Sequence, residues 1–301
     1  MNNELFINKY YNKYPQYLKL GDNISEAIKL LIKEENISVA NISSRIKTLK
    51  SFLQKQKRKN YSDPFNEMHD FCGIRIICFF TSDIKKIQNI IRKEFNVIEE
   101  KEKNLQNHQF GYRSRHLIVT IKDSWVESPN YRDLNNIKIE IQVRTILMHA
   151  WAEIEHKLAY KQRAHIPKQF QQKFIKLADT LQKADEQFET LATEINQRNK
   201  RNTQKQIQST LFDQTLDLDL DTMQMFLDFY FPKQIKDIGK TRDLLDEIIL
   251  SGITLKQLVS LYDKNNLAQQ KPSLAQSQTE QLEKLITIKK SPNKTSSNVM
   301  Y

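Results

Sequence analysis

Two cysteines in 301 residues are too few for a zinc ribbon, and their spacing excludes a bridge between them. Cys72 and Cys78 sit six positions apart in one β-branched run. Their side chains share a face but lie too far along it to join. They read as small apolar fillers in a reducing compartment. The chain has no run of about 18 apolar residues, so no hydrophobic helical membrane span is expected. The opening Met1-Asn2-Asn3-Glu4 lacks the basic and apolar regions of a signal peptide. The expectation is a cytoplasmic protein. Acids are in the minority: 47 Lys and Arg against 36 Asp and Glu leave a net charge of +11. That surplus suits polyphosphate substrates, RNA or an anionic membrane without choosing among them. A hydrophobic content of 39% and a charged content of 28% suit a folded chain with much solvated surface. The length allows one substantial core plus an appendage or a second small domain.

The strongest pattern is Ile137-Lys138-Ile139-Glu140-Ile141-Gln142-Val143-Arg144, which alternates without a miss. Period two means a strand with one buried face, so Lys138, Glu140, Gln142 and Arg144 share the other. A second strand opens with His69-Asp70-Phe71-Cys72-Gly73-Ile74-Arg75 and runs on through Phe80. From Ile74 it is β-branched and aromatic, as a central strand would be. A carboxylate at its start and a guanidinium inside it are costly unless paired or solvated at a site. Between the two strands lies Phe110-Gly111-Tyr112-Arg113-Ser114-Arg115-His116, leading into the apolar Leu117-Ile118-Val119. Taken singly, these pieces read as a turn glycine, a packing tyrosine and a surface arginine. Three of them in one short region favour a site.

Three regions are expected along the chain. Residues 1–60 read as N-terminal helices, with Asn23-Ile24-Ser25 capping one and a second beginning near Ser43-Ser44. Residues 61–165 form a mixed core. It holds a strand at 70–80, a helix at 82–95 capped by Thr81 or Ser82, and a strand at 96–101. A strand at 114–121, a loop at 122–135, a strand at 137–144 and a helix at 145–160 follow. Residues 166–301 read as a helical extension with a mobile, polar tail. In the expected second helix, Lys47, Ser51 and Lys55 step by four along one stripe. Two ammonium groups flanking a hydroxyl suit a phosphate chain; a solvated basic face gives the same pattern.

In order and spacing these segments resemble the synthetase domain of RelA/SpoT-type alarmone enzymes. The matching segments are Ser44-Arg45-Ile46-Lys47 with Ser51 and Lys55, then Asp70-Phe71-Cys72-Gly73-Ile74-Arg75, then Gly111-Tyr112-Arg113-Ser114 with His116. Glu140-Ile141-Gln142-Val143-Arg144-Thr145 and Trp151 through Lys161 complete the set. The resemblance covers residues 20–165, about half the chain. It implies an α+β fold, a nucleotidyltransferase-like mixed sheet flanked by helices. It also implies transfer of the β,γ-pyrophosphate of ATP to the ribose 3′-hydroxyl of GDP or GTP, with Mg²⁺ as cofactor. By the same resemblance Asp70 and Glu140 are the catalytic and metal-binding acids. Arg45 and Arg75 flank the adenine, and Lys47, Ser51 and Lys55 hold the ATP phosphates. Tyr112 stacks on the acceptor base, and His116, Gln142 and Arg144 position acceptor ribose and phosphates.

Two positions depart from the family pattern. His149 stands where many members carry a guanine-reading asparagine, and Arg115 replaces the usual leucine. Acceptor identity therefore stays open between GDP or GTP, adenosine nucleotides and, as in toxin-type relatives, tRNA 3′-ends. A non-catalytic nucleotide-sensing or protein-binding module is the reading of another class, against which the intact Asp70 and Glu140 argue. His149, Glu153 and His156 can share a helix face, as a bundle metal site would require. A polar lining of the acceptor pocket would use the same face. The family's hydrolase half and its ribosome-sensing domains have no counterpart in this sequence, so a small stand-alone synthetase is expected. Homo-oligomerisation and an antitoxin partner remain open.

Overall fold

The computed structural model describes residues 3–102, 115–159, 167–207, 209–266, 277–280, 282–283 and 286. The chain divides into two compact units, residues 1–192 and 193–301. Tyr112 and the glycine turn before it lie outside the described residues.

The first unit is built on the expected mixed sheet. Its strands are β1 (Val39–Ile46), β2 (Cys72–Cys78), β3 (Phe95–Glu102), β4 (Arg115–Ile121) and β5 (Ile139–Thr145). They lie in the order β1-β2-β5-β4-β3. β2 and β5 run parallel and the other neighbours antiparallel. One face is apolar and fully buried: Cys72, Ile74 and Ile76 on β2, Leu117 and Val119 on β4, and Ile139, Ile141 and Val143 on β5. This face joins the core formed with α1 (Asn3–Glu34) and α4 (Thr81–Glu94). Strand alternation turns the intervening residues to the opposite, polar face.

α1 presents Tyr17, Leu20, Ile24, Ile28 and Ile32 to the core, each no more than 4% exposed. Their spacing of three or four keeps them on one stripe, and each aliphatic side chain contributes about 1.5–3 kcal/mol by burial. That stripe carries the helix straight through the start expected at Asn23–Ser25. Ser25 Oγ donates to the Gly21 carbonyl at 2.8 Å, inside the helix, and the Asn23 amide donates to the Asn130 carbonyl at 2.6 Å. At Gly21, α1 lies close against the sheet. A Cβ there would come within 3.1 Å of Ser44 Cβ and 3.4 Å of Cys72 Sγ.

The expected helix from Ser43–Ser44 is instead β1, an edge strand paired with β2. Its register shifts between Val39 and Asn41. A bulge adds one residue and breaks the alternation, so Val39, Ile42 and Ile46 are spaced like a helical stripe. The helix proper, α2 (Leu49–Lys59), begins only after Thr48, whose hydroxyl accepts from Ser51 N. The cap of α4 also differs from expectation. Thr81 and Ser82 form its first turn, and Glu189 of α7 (Lys168–Ile207) supplies the capping carboxylate. Its Oε2 accepts from Ser82 N at 2.9 Å and Thr81 Oγ1 at 3.0 Å. The expected loop at 122–135 contains a short helix, α5 (Asp123–Val126). α3 (Pro64–Glu67) sits before β2, and α6 (Ile146–Ala159) follows β5 directly.

The second unit is a helical bundle of α8 (Leu220–Tyr230), α9 (Ile238–Leu250) and α10 (Leu255–Asn266). Phe212, Phe226, Leu227, Leu244, Ile248 and Leu258 form its core. Asp219 and Asp237 cap α8 and α9 by accepting from Thr222 N and Lys240 N. Gln278, 1% exposed, is buried against α8: its amide donates to the Phe231 carbonyl at 3.0 Å and its oxygen accepts from Gln224 at 2.9 Å.

Candidate active site

The register of the sheet places the polar side chains. Gly73 lies opposite Glu140, Arg75 opposite Gln142, and Arg45 of β1 opposite Gly73. These residues therefore share the polar face. Together with Ser43, Ser44, Lys47, Asp70 and Ile74 they line a cleft of about 380 Å³. Volume alone does not single it out, since cavities of about 350 and 400 Å³ lie elsewhere. What distinguishes the cleft is two carboxylates, Asp70 and Glu140, and three cations, Arg45, Lys47 and Arg75, on its walls; these five and Gln142 are all expected site residues from the sequence.

Asp70 stands just before β2 and is gripped from both sides. Lys47 Nζ lies 2.9 Å from its Oδ2 and Lys55 Nζ 2.7 Å from its Oδ1. Burial pushes this carboxyl upward, but the hydrogen bonds from Lys55 and then Lys47 outweigh it and hold it below the ordinary carboxylate range. The lysines converge by a route the helical stripe does not describe. Lys47 precedes α2, with its amide bonded to the Phe71 carbonyl at 2.8 Å, and only Lys55 is on the helix. Ser51 is in the first turn of α2, 3.0 Å from the Thr48 hydroxyl, and does not line the cleft.

Glu140 projects from β5 between two donors. His116 Nδ1 is 2.7 Å from its Oε1, and Gln142 Nε2 donates to its Oε2 at 2.9 Å. Against an ionised carboxylate the imidazole nitrogen must be the donor. His116 is only 2% exposed, so it stands behind Glu140 rather than on the cleft wall.

A third group gathers where α6 leaves β5. Arg75 Nη1 bonds Glu153 Oε1 at 3.1 Å, and His149 Nδ1 lies 3.8 Å from the same oxygen. Arg144 is 9% exposed. Arg144 Nε and His149 Nδ1 are buried without a hydrogen-bond partner among the described residues. Burial and then the nearby Arg75 charge lower the pKa of both Arg144 and His149. Lowering favours the uncharged imidazole at neutral pH. Glu153 is the residue whose part the sequence reading missed: it entered as a metal candidate, and here it holds Arg75. Its spacing of four from His149 was the available signal.

Asp70 and Glu140 offer only oxygen to an ion. No group of three His, Cys, Asp or Glu side chains among the described residues is arranged to hold a metal. Two carboxylates completed by water and substrate phosphates are the donor set that Mg²⁺ favours in nucleotide enzymes. The residues therefore fit that ion.

A family model described as a region found in RelA / SpoT proteins matches residues 44–165. GTP pyrophosphokinase YwaC of Bacillus subtilis is 30% identical over 186 residues, covering 58% of this chain and 86% of the relative. GTP pyrophosphokinase YjbM of the same organism is 29% identical over 170 residues, covering 55% and 77%. Among solved structures, small alarmone synthetase 2 from Bacillus subtilis superposes with a TM-score of 0.54 at 29% identity, over 62% of this chain and 99% of that one. Small alarmone synthetase 1 of that organism, bound to its product pppGpp, gives 0.52 at 26% identity, over 62% and 98%. The fold and cleft define a protein of the class built on a mixed five-stranded sheet flanked by helices, with a charged cleft on the polar face. Within that class the chain belongs to the RelA/SpoT family.

Proposed function

We propose that this protein transfers the β,γ-pyrophosphate of ATP to the 3′-hydroxyl of GDP or GTP, giving (p)ppGpp and AMP. The observation that carries the proposal is the meeting of Asp70 and Glu140 in one cleft with Arg45, Lys47, Arg75 and Gln142. Family membership and the names of the curated relatives support it.

In the reaction the acceptor 3′-oxygen bonds to the β-phosphorus, and the bond from that phosphorus to the bridging oxygen of the α-phosphate breaks. AMP leaves with the bridging oxygen and its electron pair. The hydroxyl proton passes to a base, for which Glu140 is the candidate. His116 and Gln142 fix both oxygens of that carboxylate, so its aim is set before substrate arrives. Mg²⁺ at Asp70 and Glu140 would neutralise β- and γ-phosphate oxygens. Lys47 and Lys55 grip the donor phosphates, with Ser51 at the edge of that group. Arg45 and Arg75 flank the adenine, where planar guanidinium stacking is favourable. Arg144 and His149, each with a buried nitrogen left over, take the acceptor's phosphates and base edge. Tyr112 is assigned to the acceptor base on resemblance alone. A cytoplasmic setting belongs to the same proposal; among the described residues no helix is long and apolar enough to cross a membrane.

The test is direct. Purified protein is incubated with Mg²⁺, ATP labelled in the γ-phosphate and, separately, GDP, GTP, ADP and deacylated tRNA. Label in the 3′-position of a guanosine nucleotide is the expected result. Label on tRNA or ADP alone would replace the acceptor assignment, and no transfer to any acceptor would remove the enzymatic reading.

A further inference from the structure

We infer that Lys47 and Lys55 act as a mask on Asp70, so that the divalent cation enters the site only together with the donor's phosphates. The inference rests on the proposed reading of the cleft as a metal and nucleoside triphosphate site.

Both oxygens of Asp70 are already engaged, Oδ2 by Lys47 at 2.9 Å and Oδ1 by Lys55 at 2.7 Å. The trio carries one net positive charge. The two lysine side chains are themselves partly enclosed, 15% and 21% exposed, so water screens the cluster incompletely. A dication approaching Asp70 alone would meet two like charges next to the oxygens it needs. An ammonium about 6 Å from a dication costs about a factor of ten in affinity even at the dielectric of water. A triphosphate changes the balance. Its oxygens offer Lys47 and Lys55 new partners of the same kind, and each lysine that turns to phosphate releases one oxygen of Asp70. The ion that accompanies the triphosphate can then take that oxygen. The exchange loses no charge-assisted bond, since a carboxylate–ammonium contact is replaced by a phosphate–ammonium contact. Lys47 and Lys55 differ in how freely they can turn. Lys47 is anchored at its backbone, where its amide donates to Phe71 and its carbonyl accepts from Tyr10. Lys55 stands on α2 with the more exposed side chain of the two, 21% against 15%. The larger movement is assigned to Lys55.

The experiment uses Mn²⁺ alone, counted by the electron paramagnetic resonance signal of the free ion, with full-length protein at pH 8 and no nucleotide. Compared are the wild type, Lys55→Met, Lys47→Met/Lys55→Met, and the double variant with Asp70→Asn added. Thermal melts verify folding. The double variant is expected to bind Mn²⁺ at least about tenfold more tightly than wild type, with Lys55→Met in between. Adding Asp70→Asn should abolish the gain. Equal affinity in wild type and both lysine variants overturns the mask, as does a gain that survives Asp70→Asn. If the double variant does not fold, Lys55→Met against Lys55→Met/Asp70→Asn makes the same comparison. Failure here with intact pyrophosphate transfer in wild type refutes the mask alone. Absence of transfer to any acceptor refutes the reading on which it rests.

Discussion

Replacing His116 separates two roles that the sequence could not. The resemblance places this side chain on the acceptor, whereas the structure puts it behind Glu140, 2% exposed and 2.7 Å from Oε1. A hydrogen bond to a charged group contributes about 1.5–3 kcal/mol. If that bond serves to aim the carboxylate at the hydroxyl, its loss appears in the transition state, and kcat should fall about 10- to 150-fold. The KM for acceptor should barely move, because a side chain this buried has no surface to offer a ligand. His116→Ala is the removing variant. His116→Asn is the conservative one, since its amide nitrogen can occupy nearly the place of Nδ1 and should restore part of kcat. Steady-state transfer with labelled ATP, varying the guanosine nucleotide, reads both constants, and a thermal melt verifies the fold. A raised acceptor KM with unchanged kcat would put His116 back in contact with the acceptor and refute the argument.

Three further outcomes are expected. Gly73→Val should fold normally, because a Cβ there meets nothing nearer than the Glu140 carbonyl at 3.7 Å. It should nevertheless weaken binding of an α,β-methylene ATP analogue about tenfold or more, since the added methyls fill the cleft floor and overpacking costs about 1–3 kcal/mol; unchanged calorimetric affinity would refute this. The Asp70 carboxyl has a lowered pKa in the folded chain, so its stabilisation is complete above the unfolded value of about 4 and is lost as pH falls through the folded value. The melting-temperature gap between wild type and Asp70→Asn should therefore hold from pH 8 to 5 and close towards pH 3, and a constant gap would count against it. Gln278→Ala should destabilise the helical unit by about 1–3 kcal/mol, because buried partners such as the Phe231 carbonyl lose a donor. Denaturant titration of the full chain measures it, and a loss within error would show that water replaces the amide.

Reading the sheet from sequence works where the pattern is local. β5 buries Ile139, Ile141 and Val143 by alternation, and β2 buries Ile74 and Ile76 within the β-branched run of a central strand. The expectation failed at β1, where a bulge gives Val39, Ile42 and Ile46 helical spacing, and at α1, where a buried stripe overrides local capping chemistry at Asn23 and Ser25. The same limit applies to caps supplied from a distance. Nothing near Thr81 announces that Glu189, more than a hundred residues on, will bond Thr81 and the Ser82 amide. For the site, the sequence names residues that line the cleft but not the partners they meet there. The spacing puts Lys47 and Lys55 on one helical stripe, whereas they meet on Asp70 because the turn at Thr48 carries Lys47 to the carboxylate from outside the helix. Glu153 holding Arg75 depends on how α6 leaves the sheet, which no local pattern encodes.

The strand order gives Glu140 the position that the proposed reaction asks of its base. Parallel neighbours cannot be joined by a tight turn, so the chain between β2 and β5 must leave the sheet and return. That excursion contains α4, β3 and β4, and it adds β4 to the far side of β5. β5 is thereby flanked by β2, with Arg75 and Asp70 beside the cleft, and by β4, with His116. Glu140, on the strand between, reaches the cleft on one side while His116 holds it from the other. A base that must touch a hydroxyl on one substrate while the phosphorus of another lies beside it belongs on that strand. Moving the carboxylate by one position would turn it into the buried apolar layer of Ile139 and Ile141, where an unpaired charge is costly.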